Sequence, residues 1–328
     1  MANQALDTNP PSGSVQHITT HGSDWLWAVF AIMTVCDIIV FFWQFTLPRG
    51  QRVFHQLCMF ILTTAAIAYF AMASDLGYAS VLTEFGHMGY AANTTRQIWY
   101  VRYIDWVITT PSLLLTLVLA SGLPLSDIIA LCYFDLVMIV TGLVGALVAT
   151  SYKWGFYAFG CAALFYIWWV LAGPARASAG ALGADYKSAF TSSAAILSFL
   201  WLLYPIAWGL ADGGNVITPD SEMVFYGVLD VLAKPGFTFY HLYRLSKCDL
   251  SLLQLSSGKF STSGGVFDHE KHAAAGAPAT VGMPAAAGAE HKKGGFFSKR
   301  GQRDAVRTGT THDNVHPGRT SEATAVNA

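Results

Sequence analysis

The chain is poor in charged residues. Lys, Arg, Asp and Glu make up 12% of its 328 residues, whereas hydrophobic residues make up 53%. Soluble domains carry about 25% charged residues, so this composition predicts a polytopic membrane protein in contact with a lipid bilayer. The formal net charge of -1 provides no general attraction for nucleic acid, and we expect no nucleic-acid partner.

Paired cysteines and a basic leader are also missing. The five cysteines show no paired spacing, and all but the last lie in apolar runs: Cys36, Cys58, Cys132, Cys161 and Cys248. They are expected to be core residues without a disulfide framework or a metal site. Residues 1–24 contain no Lys or Arg, so we expect no cleavable signal peptide and a first helix that acts as the anchor.

Long apolar segments are what the chain has in place of charge. A spanning helix needs about 20 mostly apolar residues. Seven windows meet this condition, at residues 25–47, 53–74, 97–120, 128–149, 154–172, 189–210 and 223–243. Short connections make neighbouring helices antiparallel, and the predicted fold is therefore an all-α, seven-transmembrane-helix bundle.

The distribution of basic residues predicts the orientation of this bundle. Basic residues follow the first, fifth and seventh windows, at Arg49, Arg52, Arg176, Lys187, Arg244 and Lys247. The N-terminal tail and the segment between the sixth and seventh windows carry acidic residues and no Lys or Arg. The positive-inside rule then puts the N-terminus outside and the C-terminus in the cytoplasm.

Three regions follow from these windows. Residues 1–24 are predicted to be an extracellular N-terminal tail, and residues 25–247 to form the seven-helix domain. Residues 248–328 are rich in Gly, Ala, Ser and Thr without apolar periodicity, which predicts a disordered cytoplasmic tail. We expect a multi-pass protein of the plasma membrane.

Charged residues do occur inside the predicted bundle. Asp230 and Lys234 lie one turn apart in the seventh window, and Arg102, Asp105 and Thr109 share one face of the third. A lysine at such depth costs several kcal/mol unless it is paired or chemically changed. If both aspartates face Lys234, Arg102 would balance their surplus charge. The alternatives are a network that only fixes helix register, or a lysine that reaches water at a helix end.

A lysine flanked by carboxylates in an apolar shell is suited to forming a Schiff base with a carbonyl compound. Aromatic side chains would then shape the ligand pocket. Trp106 follows Asp105, and Trp201, Tyr204 and Trp208 form one stripe on the sixth helix, interrupted by a possible kink at Pro205. Such stripes also occur as plain core or as lipid-facing surface, so the lysine is needed for the interpretation.

Four motifs resemble those of the microbial, type 1 rhodopsin family, and look most like its bacteriorhodopsin-type proton pumps. They are Arg-Tyr-Ile-Asp-Trp-Val-Ile-Thr-Thr-Pro at 102–111, the segment at 135–146, Trp-Leu-Leu-Tyr-Pro-Ile-Ala-Trp at 201–208, and Leu-Asp-Val-Leu-Ala-Lys at 229–234. The resemblance covers most of residues 25–247. It does not extend to the N-terminal extension or the C-terminal tail.

The resemblance implies all-trans retinal, covalently bound to Lys234 as a protonated Schiff base. It implies that Asp105 is the proton acceptor and counterion, Asp230 the second counterion, and Thr109 the hydroxyl bonded to the acceptor. Arg102 would move toward the exit, where Asp212 and Glu222 match the paired acids of proton release, although the loop between them differs. Retinal-box positions are matched by Trp106, Met138, Gly142, Trp201, Tyr204, Pro205 and Trp208, with Thr110 and Asp135 as a linked pair beside them.

One position departs from the pumps that the chain resembles. Their cytoplasmic donor carboxylate would lie three turns beyond Asp105, and this chain has Thr116 there. A threonine hydroxyl is a poor proton donor at neutral pH. Reprotonation from the cytoplasm through water should therefore be slow, and faster as the pH falls.

We expect a transporter or photoreceptor and not an enzyme. The leading interpretation is a light-driven outward proton pump, because chloride pumps replace the acid found at Asp105. A photosensor that signals through a separate partner is the main alternative, and Thr116 favours it because slow reprotonation prolongs a signalling state. A light-gated channel ranks lower, because the inward stretch of the second window is apolar. The family likeness allows homodimers or homotrimers.

Overall fold

The computed structural model describes residues 3–253 and 255. Almost all of the predicted C-terminal tail lies outside these residues, and its disorder stays a prediction. The part of it that is described is not extended: Leu250–Leu253 forms a 3-10 helix, and Leu250 and Leu253 pack against the helical core. This turn lies beyond the predicted end of the domain at residue 247.

Seven long helical segments make up the fold. The first four are α2 (Thr20–Trp43), α3 (Val53–Ala73), α4 (Tyr100–Leu119) and α5 (Leu125–Leu147), preceded by the short α1 (Gln4–Thr8). The fifth joins α6 (Lys153–Val170) to α7 (Arg176–Leu182), the sixth is α8 (Ala184–Trp208), and the seventh joins α9 (Pro219–Val231) to α10 (Phe237–Leu245). Six of them have the length and composition of membrane spans, and the seventh contains the buried charges. The prediction of a seven-helix bundle is confirmed.

The predicted boundaries differ most at the ends of the first, third, fifth and sixth helices. The first begins at Thr20 rather than residue 25, because Thr19 accepts a hydrogen bond from His21 N (3.2 Å) as an N-cap. It ends in a 3-10 turn after Trp43. The fifth and sixth helices extend to Leu182 and Gly213 through wider π-helical turns.

A β-hairpin that the sequence analysis did not predict connects the second and third helices. Strand β1 (Ala79–Leu82) pairs antiparallel with β2 (Thr95–Ile98), so the third helix starts at Tyr100 and not at residue 97. The N-terminal segment packs on this hairpin: Gln16 bridges to Arg96, and Ile18 N donates to Gln97 Oε1 (2.8 Å). Residues 3–19 therefore contact the bundle and do not form a free tail.

Three π-helical turns interrupt the long helices, at Leu171–Ala175, Gly209–Gly213 and Leu232–Gly236. Pro174 and Pro235 lie within two of them, where the missing proline N–H disturbs the normal i to i-4 pattern. Such turns are frequent at functional sites. The third turn contains Lys234, so the lysine projects from a locally widened stretch of helix.

The outward surface of the bundle is strongly apolar. Large side chains there are widely exposed, including Phe42 (65%), Ile67 (65%) and Trp169 (63%). A soluble domain would bury such groups, whereas the hydrocarbon of a bilayer accepts them. The polar side chains described next lie inside the bundle.

Candidate functional site

The amine of Lys234 lies between two carboxylates from different helices. Lys234 is 1% exposed, and its Nζ contacts Oδ2 of Asp105 on α4 and, at 3.1 Å, Oδ2 of Asp230 on α9. Both aspartates are buried. The structure thus brings together the three residues whose spacing suggested a charged layer, and the alternative of a lysine reaching water at a helix end is wrong.

The two carboxylates have different surroundings. Asp230 accepts hydrogen bonds from Tyr204 (2.6 Å) and Tyr69 (2.8 Å). Oδ1 of Asp105 has no hydrogen-bond partner among the described residues. The Thr109 hydroxyl donates to the main-chain carbonyl of Asp105 (2.9 Å), rather than to the carboxylate as the resemblance implied. Asp105 is therefore the less fully bonded of the two acids.

Arg102 is bound elsewhere than expected. Its Nη1 lies 2.7 Å from Glu222 Oε1, and its guanidinium lies 4.0 Å above the ring of Tyr226. The predicted charge balance with Asp105 through direct contact is wrong, because Glu222 offers a closer partner at the start of α9. Arg96 Nη2 holds the other oxygen of Glu222 at 2.8 Å. Sequence reasoning missed Arg96, which lies in the hairpin strand that it also missed.

Asp212, the second predicted release residue, is not in this ion pair. It lies in the π-turn after α8, is 3% exposed, and accepts a hydrogen bond from Tyr103 (2.9 Å). Its Oδ1 has no hydrogen-bond partner in the described part of the chain. The two acids predicted to act as a pair are therefore unlike: Glu222 is held by two arginines, and Asp212 by one phenol.

A cavity extends from Lys234 between four helices. It comprises ≈ 740 Å³ of space free of protein atoms, including its opening, and ligand pockets typically measure about 300–1,000 Å³. Its predicted lining residues are Trp106, Thr110, Met138, Gly142, Trp201, Tyr204, Pro205, Trp208 and Lys234. The lining that sequence reasoning missed comprises Tyr103, Leu113, Ile139, Phe156, Tyr157, Gly160 and Cys161. An apolar, aromatic cleft that ends at an amine fits a long apolar ligand with a terminal carbonyl.

Asp135 does not line this cavity, although it was predicted as a ligand-binding residue. It is fully buried and accepts a hydrogen bond from Thr110 Oγ1 (2.8 Å), and Thr110 does line the cavity. The predicted link between these two helices is therefore present. Trp208 makes a second link across the cavity by donating from Nε1 to the carbonyl of Gly142 (3.2 Å).

Thr116 lies on the opposite side of Lys234 from Arg102. It is fully buried, and its hydroxyl donates to the carbonyl of Ser112 (2.7 Å), one turn back on α4. The side chain that stands at the predicted donor position thus carries no carboxyl group and is bonded within its own helix. Proton delivery on this side must involve other groups.

Comparison with known proteins agrees with the fold and the site. The family model described as Bacteriorhodopsin-like protein matches residues 20–248. Protein FDD123 of Trametes versicolor is 49% identical over 286 residues, which cover 87% of this chain and 99% of that protein. The opsin-like protein carO of Fusarium fujikuroi is 49% identical over 240 residues, with 72% and 78% covered.

A solved structure gives the same result. The light-driven proton pump LR (Mac) of Leptosphaeria maculans superposes with a TM-score of 0.67 at 36% identity, covering 71% of this chain and 98% of the pump. The resemblance inferred from the four motifs is confirmed. The chain belongs to the bacteriorhodopsin-like family of seven-helix membrane proteins, whose chromophore is retinal and whose members are light-driven transporters or opsins rather than enzymes.

Proposed function

We propose that this protein is a light-driven outward proton pump, with all-trans retinal joined covalently to Nζ of Lys234. The observation that carries the proposal is the position of that amine, between Asp105 and Asp230 at the end of an aromatic cavity. A similar protein, from Leptosphaeria maculans, is a light-driven proton pump. When bound, retinal supplies light absorption and a change of shape that alters the surroundings of the Lys234 nitrogen.

Asp105 is the proton acceptor in this proposal. It contacts Nζ of Lys234 directly, and its other oxygen has no partner among the described residues. Taking up a proton there breaks no hydrogen bond within the described protein. Asp230 already accepts two phenolic hydrogen bonds, which stabilise it as a carboxylate, so it acts as the fixed counterion.

Release follows on the side of Arg102. Once Asp105 is neutral, the negative charge opposite Lys234 is smaller, and the field acting on the Arg102 guanidinium changes. Glu222 is held between Arg102 and Arg96, so Asp212 is the better candidate to give up the proton outside. Asp212 has only the Tyr103 hydroxyl as a partner within the described residues.

The orientation assigned to the pump follows from its basic residues. Arg244 and Lys247 end the seventh helix, and Arg49 and Arg52 follow the first, which supports a cytoplasmic C-terminus. The side of Glu222 and Arg96 then faces outward. We assign the protein to the plasma membrane, where outward pumping acidifies the medium.

The chromophore assignment is tested by colour. Purified protein supplied with retinal should absorb in the visible, and the Lys234→Ala variant should remain colourless under the same conditions. The two proteins should unfold at comparable detergent concentrations if the substitution spares the fold. A Lys234→Ala protein that keeps a visible band would refute the covalent attachment.

Pumping is tested in unbuffered cells or vesicles under illumination. Outward transport predicts acidification outside that a protonophore abolishes, and Asp105→Asn should eliminate it. Asp37→Asn is the matched control, because Asp37 is another carboxylate within a spanning helix but bonds only to Thr63 (2.6 Å) and is away from Lys234. Equal losses in both variants would show that the effect is not specific to the acceptor.

A photosensor is the second candidate, because Thr116 leaves the donor position without a carboxyl group. A complete photocycle without any light-driven pH change would favour this alternative. A photocurrent that reverses with membrane voltage would instead favour a channel. Pumping against an imposed proton gradient would exclude both as the main activity.

A further inference from the structure

His241 is a buried ionisable side chain without a role in the mechanism above. It lies on α10 and is 0% exposed. Seven residues separate it from Lys234 on the same helix, which is two turns or about 10 Å, so both side chains share one face. It lies on the Thr116 side of Lys234, where the protein lacks a donor carboxylate.

The hydrogen bonds of His241 define which nitrogen carries the hydrogen. Nε2 lies 3.1 Å from the carbonyl oxygen of Thr116, and Nδ1 lies 2.9 Å from Oγ of Ser193 on α8. A carbonyl oxygen only accepts, so Nε2 is the protonated nitrogen of the neutral ring. Nδ1 then accepts from the Ser193 hydroxyl. The ring therefore joins a proton-accepting nitrogen on α8 to a proton-donating nitrogen at the empty donor position.

Charged side chains near His241 are engaged elsewhere. On its own helix, Arg244 donates to Ser192 (3.0 Å) and Ser188 (2.8 Å). Cys58 and His55 are the ionisable groups of α3 on this side, Asp105 is the acidic group of α4, and Asp185 is that of α8. Across the described residues, none of these forms a hydrogen bond or ion pair with the ring, which supports its neutral state.

One further polar group lies between His241 and Lys234. Thr238 is one turn from each, is fully buried, and its Oγ1 has no hydrogen-bond partner among the described residues. Phe237 stacks on the His241 ring at 5.4 Å and closes its other face. The polar sequence from Ser193 through His241 to Thr238 is thus enclosed by apolar packing and ends one turn from the site amine.

We propose that His241 relays protons from the cytoplasm to the Lys234 nitrogen, in place of the carboxylate that Thr116 replaces. This inference rests on the proposed pump function. A cytoplasmic proton reaches Nδ1 by way of the Ser193 hydroxyl, which gives its own hydrogen to the ring and regains one from water. The transient imidazolium releases the Nε2 hydrogen through the Thr238 hydroxyl and water to Lys234. Exchange of the remaining hydrogen from Nδ1 to Nε2 restores the starting ring.

A relay differs from a stored donor in its pH dependence. The neutral ring holds no extra proton to give, so each cycle must draw one from solution. Reprotonation should therefore accelerate as the pH falls, which agrees with the behaviour expected from Thr116. The presence of His241 changes the rate at every pH, because it shortens the distance over which water alone must carry the proton.

The first test needs no chromophore. Nitrogen-15 spectra of histidine-labelled apo-protein, in which the chain's 10 histidines are separated by subtracting the His241→Phe spectrum, should show a neutral ring with the hydrogen on Nε2. Ser193→Ala should shift the Nδ1 resonance, because it removes the hydrogen bond to that atom. A ring protonated at Nδ1, or a permanently charged ring, would overturn the proposal.

The second test follows the recovery of visible absorption after a flash in the retinal-loaded protein. His241→Phe should slow recovery about tenfold or more, and imidazole or azide added to the buffer should restore part of the rate. Ser193→Ala should slow it as well. The matched control is His55→Phe, since His55 is also buried on this side but has no hydrogen-bond partner among the described residues, and its recovery should be unchanged.

The outcomes separate this inference from the pump proposal. If the unmodified chain takes up retinal and pumps, but His241→Phe and Ser193→Ala recover at the normal rate, the relay is refuted and the pump stands. Equal slowing by His55→Phe would also refute it, because any lost imidazole would then do. If the unmodified chain neither colours nor cycles, the proposed function itself fails.

Discussion

The Arg96–Glu222–Arg102 cluster provides the sharpest test of the energetics of this structure. Glu222 is fully buried and contacts one guanidinium through each oxygen, at 2.8 and 2.7 Å. Removing one partner of a buried ion pair leaves an uncompensated charge and costs about 3–5 kcal/mol. In Glu222→Gln two guanidiniums lose their carboxylate at once, so we expect the free energy of unfolding to fall by about 3–5 kcal/mol.

The contacts that remain make the partner variant milder. In Arg96→Gln, Glu222 keeps its ion pair with Arg102, and the lost groups are hydrogen bonds to the Ile217 carbonyl (2.7 Å) and Gln16 (3.3 Å). We expect a loss of about 1–3 kcal/mol, as for hydrogen bonds to charged groups. Because both variants remove the same contact, the double variant should be more stable than the sum of the two losses predicts, by about 1–3 kcal/mol.

The assay is a double-mutant cycle of unfolding by sodium dodecyl sulfate in mixed micelles, followed by tryptophan fluorescence. Glu84→Gln is the control, because Glu84 pairs with Lys153 at 3.4 Å but its side chain is 21% exposed, and such a pair contributes about 0–1 kcal/mol. If Glu222→Gln costs less than about 1 kcal/mol, or if the losses simply add, the ionic cluster does not stabilise the fold as argued.

Three further predictions concern single positions. A Cβ on Gly227 would lie 2.3 Å from Nε1 of Trp25, so Gly227→Ala should lower the free energy of unfolding by about 1–3 kcal/mol, whereas Gly155→Ala, with open space around it, should not. Burial raises the pKa of the Asp75 carboxyl; ionisation then costs more in the folded chain, stability should fall as the pH rises through the folded pKa, and Asp75→Asn should remove this dependence in unfolding curves between about pH 4 and 7. Thr116→Asp should make flash-induced recovery faster and less dependent on pH; if neither changes, the donor assignment of that position is wrong.

The helices and the central charged site were predictable because their signals are local. Apolar windows indicated all seven helices, and the i, i+3 and i+4 spacings indicated which faces carry Arg102, Asp105, Asp230 and Lys234. Charges buried in apolar helices must find partners, so the contact between Lys234 and both acids could be inferred without coordinates. The resemblance added the cavity residues of α4, α5 and α8.

The remaining parts of the site depend on contacts that no local pattern indicates. Arg96 and Glu222 lie 126 positions apart, and their pairing requires the hairpin that places Arg96 above the start of α9. Phe156, Tyr157 and Gly160 line the cavity from α6, whose sequence is apolar on all sides and so does not mark an inward face. The direction of Arg102 followed from its nearest acid in space rather than from its nearest acid in sequence.

The asymmetry of the polar groups around Lys234 supports a direction of transport. On the side of Arg102, the described residues include the charged groups Arg96, Glu222 and Asp212, all buried. On the side of Thr116, the inward polar groups are neutral hydroxyls and the His241 ring. A proton that leaves Lys234 through Asp105 therefore enters a region whose carboxylates and arginines exchange charge readily, whereas its replacement must cross a neutral, poorly conducting region. Release should be fast and uptake slow, so exchanging the two sides, by introducing a carboxylate at Thr116 and removing that of Asp212, should make release rather than uptake limit turnover.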